Sequence, residues 1–282
     1  MRKLTDSKII NILKCPICGE KMTSSETGVS LCCTGSKRHC YDFSSSGYIN
    51  LCSPTQSGGG DSKAAVRARS EFLDGQYYRP VAEEIAKMAK KHTSTDGVLV
   101  DAGCGEGYYS DFLNREGFSV IGADLSKFAT DAASKRLSKT NSSNFLFTVS
   151  SVFSLPVEDN CASVVTNIFA PCAEEEYCRV LENGGVLIVA WAGTNHLMGL
   201  KEAIYDTAHI NGERADMPKS MNKIDESRVS YFIKLDSNEK IKNLFTMTPY
   251  YWRTSAADID KLDGLQTLET EVDIIISVFK KQ

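Results

Sequence analysis

Two groups of residues have the types and spacing to do chemistry. The first is Cys15-Pro-Ile-Cys18, followed by Cys32, Cys33, His39 and Cys40. A C-x2-C knuckle supplies two ligands of a tetrahedral metal site, and two further Cys or His residues complete it; this donor set is that of zinc. Pro16 stiffens the knuckle and Gly19 releases the chain after it. If 29–33 is a strand, Val29, Leu31 and Cys33 share one face, which favours Cys33 over Cys32. His39 and Cys40 are adjacent, so only one is expected to point inward. A site closed by four ligands is structural, and in so short a segment the metal would supply much of the folding energy.

The second group is VLVDAGCGEGYYS at 98–110. A strand ends at Asp101, and Gly103, Gly105 and Gly107 follow before a helical stretch. Such a loop lets a ligand approach the backbone closely beside a helix N-terminus. A second strand ends at Asp124, 17 residues after Gly107, where a carboxylate accepts both hydroxyls of a ribose. No G-x-x-x-x-G-K-[ST] follows, so a phosphate-cradling loop is not indicated.

Positioning these groups requires an α/β framework. GVLVD (97–101), FSVIGAD (118–124), FLFTV (145–149), ASVVTNI (162–168) and GVLIVAW (185–191) read as buried strands, with room for one helix between each pair. That alternation predicts a parallel sheet covered on both faces. Residues 1–52 are cysteine-rich, and SPTQSGGGDSK at 53–63 reads as a flexible connector leading into helical pattern up to 95. The expected units are therefore 1–52, a linker and helical segment at 53–95, and 96–282. The chain after 192 is less regular, ending in the strand-like TLETEVDIIISVFKK.

Composition sets the surroundings. The chain has 282 residues, 42% hydrophobic and 24% charged, as in an ordinary globular protein. Its apolar runs are about ten residues or fewer against the ~20 of a membrane span, and no signal-peptide core is evident. A reducing, cytoplasmic setting is expected, and there clustered cysteines mean metal more often than disulfides. Six of the ten cysteines lie in the first 52 residues; Cys52, Cys104, Cys161, Cys172 and Cys178 read as small apolar fillers. The net charge of −4 argues against a generic nucleic-acid binder. Residues 1–95, however, carry 14 Lys/Arg against 9 Asp/Glu, and 96–282 carry 18 against 27. The basic excess of the N-terminal third suits an anionic partner.

The string D-x-G-C-G-x-G is similar to the loop that binds S-adenosylmethionine in Rossmann-like methyltransferases. Leu155-Pro156 follows the third strand, Ser151-Val152 stand where that class lines the adenine, and RVLENGGVLIVAW (179–191) resembles its R-x-L-K-P-G-G segment, with Asn183 in place of Pro. The implied fold class is an α/β, Rossmann-like class I S-adenosylmethionine-dependent methyltransferase domain preceded by a small zinc-binding module. In that class the residues after the fourth strand flank the target, which points to Asn167 either as a hydrogen-bond partner of a base edge or as a buried side chain capping the strand end, and to Phe169 as a stacking surface.

The blocks RHCYDFSSSGYINL (38–51), EFLDGQYYRP (71–80), DAGCGEGYYS (101–110), NIFAP (167–171), NHLMGLK (195–201) and MTPYYWR (247–253) together resemble the bacterial 23S ribosomal RNA guanine-N1 methyltransferases over nearly the whole chain. The resemblance implies S-adenosylmethionine-dependent methylation of guanine N1 in a 23S ribosomal RNA hairpin. It implies one structural zinc on Cys15, Cys18, Cys33 and His39. Implied cofactor contacts are Tyr78, Glu106, Gly107 and His196, beside Asp101, Gly103, Gly105, Asp124, Ser151 and Val152 of the general motif. It also implies a homodimer. Lys14, Lys21, Lys37 and Arg38 in the zinc module would grip phosphates. A small-molecule methyltransferase needs neither a zinc module nor a basic N-terminal third, and a noncatalytic RNA-binding protein has no use for the intact glycine loop and Asp124. No residue identifies itself as the catalytic base.

Overall fold

The computed structural model describes residues 6–53, 59–140, 142–212, 214 and 216–282, so part of the expected 53–63 connector lies outside the described residues. The N-terminal segment runs α1 (Ser7–Ile10), β1 (Met22–Ser24), β2 (Ser30–Cys33), β3 (Cys40–Asp42) and β4 (Ile49–Asn50). Helices α2 (Lys63–Asp74) and α3 (Arg79–His92) follow. Then come β5 (Val98–Ala102), α4 (Tyr108–Arg115), β6 (Ser119–Asp124), α5 (Lys127–Ser138), β7 (Phe145–Val149), β8 (Ala162–Ile168), α6 (Glu174–Val180), β9 (Leu181–Ala192) and α7 (Met198–Ile204). The chain closes with β10 (Asn222–Leu235), α8 (Asn238–Thr246), α9 (Ala256–Asp260) and β11 (Leu268–Lys280).

Local signals explain the helices around the site. Ser62 caps α2 and Ser126 caps α5, each hydroxyl accepting a first-turn backbone N–H. Pro80 sits in the first turn of α3, where no intrahelical N–H is needed. Val81, Ala82, Ile85, Ala86, Met88 and Ala89 form the buried stripe of α3, and Lys90, Lys91 and His92 close its last turn in favour of the helix dipole.

Eight strands form one sheet in the order β10-β11-β9-β8-β5-β6-β7-β4. All five expected strands are present, and they pair in parallel. The order reverses between β5 and β8, which opens a crevice at their carboxyl ends, the place where open α/β sheets bind ligands. Three features differ from expectation. The sheet is mixed, because β11 pairs antiparallel with both β9 and β10. The stretch read as irregular contains β10, fourteen residues long, in which Val229, Tyr231, Ile233 and Leu235 face the core cluster while Phe232 stays exposed at the sheet edge. No helix joins β7 to β8.

The N-terminal segment fills that last place. Lys14 donates its backbone N–H to Pro156, Glu158 donates to Ile12, and Leu13 bridges Val157. Ile9 and Leu13 are fully buried in a cluster that includes Val98, Val100, Ile121 and Leu146 of the sheet. The module expected to end at 52 also gives β4 to the sheet, parallel to β7. Residues 6–52 thus pack as a cover on the sheet instead of standing apart across a connector. The physical reason is that a three-stranded sheet with a short helix has too little apolar surface to close its own core. Among the described residues no helix is long and apolar enough to cross a membrane.

Leu13→Ala should therefore destabilise the whole chain by about 2–4 kcal/mol, the cost of a core cavity. Urea unfolding followed by far-UV circular dichroism and by tryptophan fluorescence, in a Trp252→Phe background that leaves Trp191 on β9 as the single reporter, should show one shifted transition. Loss of the N-terminal segment alone, at lower denaturant, would contradict the shared core.

Candidate cofactor site and metal centre

Strands β1, β2 and β3 form a small antiparallel sheet, with Cys32 opposite Cys40. Those two residues are joined by a disulfide, contrary to the expectation of reduced cysteines. Alternation along the strands then turns Cys33 and His39 to the other face, towards the knuckle. Cys15, Cys18, Cys33 and His39 place their ligand atoms within 4.8 Å of one another. His39 Nδ1 lies 3.5 Å from Cys15 Sγ and 3.6 Å from Cys33 Sγ, and Cys18 Sγ lies 3.6 Å from Cys33 Sγ. Zinc with bonds of about 2.3 Å to sulfur and about 2.0 Å to nitrogen needs tetrahedral edges of roughly 3.5–3.8 Å. The residues fit the ion. The Tyr41 hydroxyl lies 3.3 Å from Cys15 Sγ, and the backbone N–H of His39 donates to Cys33 Sγ at 3.1 Å; such contacts orient ligands.

At the crevice, the glycine loop leaves β5 and is tied to β6 by the N–H groups of Gly103 and Cys104, both donating to Ala123. Gly107 starts α4 at φ +74°, and a Cβ there would lie 2.8 Å from Ala133, so only glycine lets α4 and α5 approach this closely. Asp101, Ser110 and Thr166 meet beneath the loop: the two hydroxyls donate to the carboxylate at 2.5 and 2.8 Å. Burial nonetheless pushes the Asp101 carboxyl up to about 6. Asp124 accepts backbone N–H groups from Gly105 at 3.0 Å and Ser126 at 2.7 Å, and burial raises its carboxyl as well. A cleft of about 700 Å³ opens beside it, lined by Asn50, Asp61, Leu125, Phe128, Val149 and Trp252. Ser151 lies buried in the turn after β7, and Val152 is partly buried against the core.

Glu106 is buried and ion-paired with Arg69 of α2, which also pairs with Asp61. A Cβ on Gly105 would lie 3.3 Å from this guanidinium, so Arg69 covers the glycine loop. Arg69 was not expected at the site; it stands just before EFLDGQYYRP, and only the fold brings α2 over the loop.

The far wall is aromatic. Phe169 follows β8 in the left-handed region at φ +54° and is 45% exposed. Its ring lies parallel to His196, centroids 6.4 Å apart, with Tyr78 at 6.3 Å and Tyr109 at 6.5 Å. Tyr78 and His196 are both buried, with Tyr78 Oη 3.2 Å from His196 Nε2. The Asp273 backbone N–H donates to His196 Nδ1 at 3.2 Å, so Nδ1 carries no proton. Burial holds the imidazole down to about 4, which keeps it neutral. Two expectations are corrected. Asn167 is fully buried, its amide donating to Pro171 and Tyr177 and accepting from Arg214, so no polar atom of it is left for a base edge. Lys14 pairs with Glu158 and Asp159 at the N-terminal cover and does not stand ready for a phosphate, whereas Lys21, Lys37 and Arg38 are exposed.

Residues 93–247 match the family model described as a methyltransferase domain, and the chain belongs to that family. A parallel core whose order reverses above β5, with the glycine loop and Asp124 at its carboxyl ends, is the S-adenosylmethionine-dependent class I form of that fold. Three curated relatives carry closely similar names. A 23S rRNA (guanine(748)-N(1))-methyltransferase of Streptomyces fradiae is 26% identical over 95% of this chain and 97% of its own length. YxjB of Bacillus subtilis (strain 168), provisionally named a 23S rRNA (guanine-N(1)-)-methyltransferase, is 28% identical over 96% of this chain and 98% of its own. A protein of Micromonospora griseorubida with the same provisional name is 25% identical over 87% and 88%.

Protein purified without added metal should contain one zinc per chain. Cys33→Ser should lose it and Cys32→Ser should keep it, as elemental analysis will show. Asp124→Asn should weaken binding of S-adenosylhomocysteine by about 1.5–3 kcal/mol, since a carboxylate that accepts charge-assisted bonds becomes an amide. Calorimetry measures this directly, and unchanged affinity would remove Asp124 from the ribose.

Proposed function

We propose that this chain transfers a methyl group from S-adenosylmethionine to N1 of a guanine in a hairpin of 23S ribosomal RNA. The observation that carries the reading is that a Cys3His metal set and a methyltransferase core occur in one chain that aligns end to end with relatives of that name. Residues 1–52 would serve as the RNA-recognition module, 53–95 as linker and helical cover, and 96–282 as the methyltransferase domain. The resemblance adds a cytoplasmic setting and a homodimer to the proposal; analytical ultracentrifugation tests the latter.

The bound cofactor supplies an electrophilic methyl on a sulfonium. Asp124 is the ribose acceptor, Gly103, Gly105 and Gly107 admit the cofactor against backbone, and Asp101 and Glu106 hold the loop from beneath and from the side. Ser151 and Val152 border the adenine, and Tyr78 and His196 close the methionine end. Phe169, held proud of β8, offers its ring to a base splayed from an RNA loop. His196 is not free to remove the guanine proton, because both ring nitrogens are engaged. The protein's part is therefore chiefly alignment of nucleophile and methyl. Cys15, Cys18, Cys33 and His39 would hold a zinc ion as a closed four-ligand site, and the ion would serve to keep the N-terminal module in shape.

Mass-spectrometric mapping of 23S ribosomal RNA from cells with and without the gene tests the reading; an unchanged guanine methylation pattern would overturn it. Lys37→Glu with Arg38→Glu should cut RNA methylation by at least about tenfold and make the salt dependence of RNA binding shallower, because phosphate contacts and their counterion release are lost. Zinc content and S-adenosylhomocysteine affinity should stay as in the wild type. An unaltered RNA affinity and salt slope would exclude this face.

A further inference from the structure

We propose that Arg228 and Asp273 form a positioning pair that holds His196 neutral in a single tautomer, so that the Tyr78 oxygen accepts from the ring and the Tyr78 hydroxyl proton is turned away from it. What that proton then meets rests on the cofactor reading above; the pairing itself does not.

Asp273 lies in the middle of β11 with no exposure. Arg228 of β10 grips its carboxylate with a two-pronged fork, Nε to Oδ1 at 2.6 Å and Nη2 to Oδ2 at 2.8 Å. Oδ2 also accepts the backbone N–H of Asn195 at 3.0 Å, and the Asp273 carbonyl accepts that of Gly193 at 2.7 Å. A Cβ on Gly193 would lie 2.5 Å from Oδ2, so only glycine lets the chain pass this close over the carboxylate. Leu197 ends the turn at φ +59°, its N–H bonded to Glu271. The 193–197 turn is thus fastened at its start, middle and end to β11. His196 is carried by that turn and has no other way to sit.

The proton count follows from the bonds. Nδ1 accepts from the Asp273 backbone, so the proton of a neutral ring is on Nε2. Nε2 faces Tyr78 Oη, so Nε2–H donates and the Tyr78 oxygen accepts. The Tyr78 proton must leave in another direction, and among the described residues no acceptor takes it. Protonating His196 would place a second donor on Nδ1 against the Asp273 N–H and break the turn. The charged and titratable groups facing the ring are Asp273 from β11, Lys201 from α7 and Tyr78 at the start of α3. Asp273 favours the charged ring; Lys201 and burial oppose it. Arg228 offsets the Asp273 charge, with Glu271 beside it. Without Arg228 the buried carboxylate acts on His196 uncompensated and fewer bonds hold the turn.

Arg228 is half-exposed, so Arg228→Gln should fold; Arg228→Lys keeps the charge without the fork. Nitrogen-15 NMR of the ligand-free protein, with His196 assigned by comparison to His196→Gln, should find the wild-type ring as the Nε2–H tautomer throughout about pH 5–8. In Arg228→Gln the ring should titrate or mix tautomers within that range. Between pH 8 and pH 6, affinity for S-adenosylhomocysteine should fall at least about fivefold further in Arg228→Gln than in the wild type; Asp101 and Asp124 contribute equally to both profiles. Arg228→Lys should recover most of the wild-type profile. A wild-type Nδ1–H ring, or a variant ring and pH profile identical to wild type, overturns the proposal. Wild-type protein that shows the expected tautomer and binds no S-adenosylhomocysteine would overturn the cofactor reading and leave the positioning pair intact.

Discussion

A buried carboxylate organises the centre of this molecule. Asp101 sits at the end of β5, where the strand order turns back, and an ionised carboxyl there is costly unless it is bonded. Ser110 of α4 and Thr166 of β8 supply the bonds from either side. The same residue therefore ties the strand on which the glycine loop begins to the helix on which it ends and to the strand across the crevice. Everything at the site is placed relative to that knot. The loop is further tied to β6 by its N–H groups, Asp124 steadies it by accepting from Gly105, and Arg69 covers it through Glu106.

Coupling between the N-terminal segment and the sheet has the same economy. A methyltransferase sheet needs a cover on each face, and a small zinc-bearing sheet needs apolar surface that it does not itself possess. Ile9 and Leu13 meet both needs by packing where the connection between β7 and β8 carries no helix. Cys15 and Cys33 belong to the same buried cluster as the strands. A metal that fixes the knuckle thus also fixes part of the sheet's cover, so the exposed Lys21, Lys37 and Arg38 and the cofactor loop are held in one frame.

The aromatic wall shows how hydrogen-bond direction, more than proximity, decides what a site can do. Phe169, Tyr78, Tyr109 and His196 surround one corner, and a list of residue types would suggest a histidine base. Because Nδ1 accepts a backbone N–H and Nε2 is bonded to a phenol, the imidazole is a spacer that sets the direction of a hydroxyl. Asn167 is likewise spent on holding the loop that presents Phe169. Rigid presentation of a ring and of a proton donor suits a reaction whose electrophile comes with the cofactor.

Sequence alone determined the elements whose signals are local. The five central strands are short apolar runs with β-branched residues, and the glycine loop, Asp124 and the C-x2-C knuckle are legible because their spacing is set by backbone geometry within a few residues. The choice of Cys33 over Cys32 was foreshadowed by strand alternation, but the cross-strand pairing of Cys32 with Cys40 needed the register of β2 and β3. Strand β10 carried an alternation, Val229, Tyr231, Ile233, Leu235, that polar and exposed neighbours obscured at a sheet edge. The remainder could be decided only by tertiary structure, because it depends on residues far apart in the chain. Leu13 covers a gap beside Val157, Arg69 reaches Glu106, and Arg228 reaches Asp273 beneath His196. No period or motif encodes such contacts; they exist because burial of charge demands a partner, and only the folded chain brings the partner within reach.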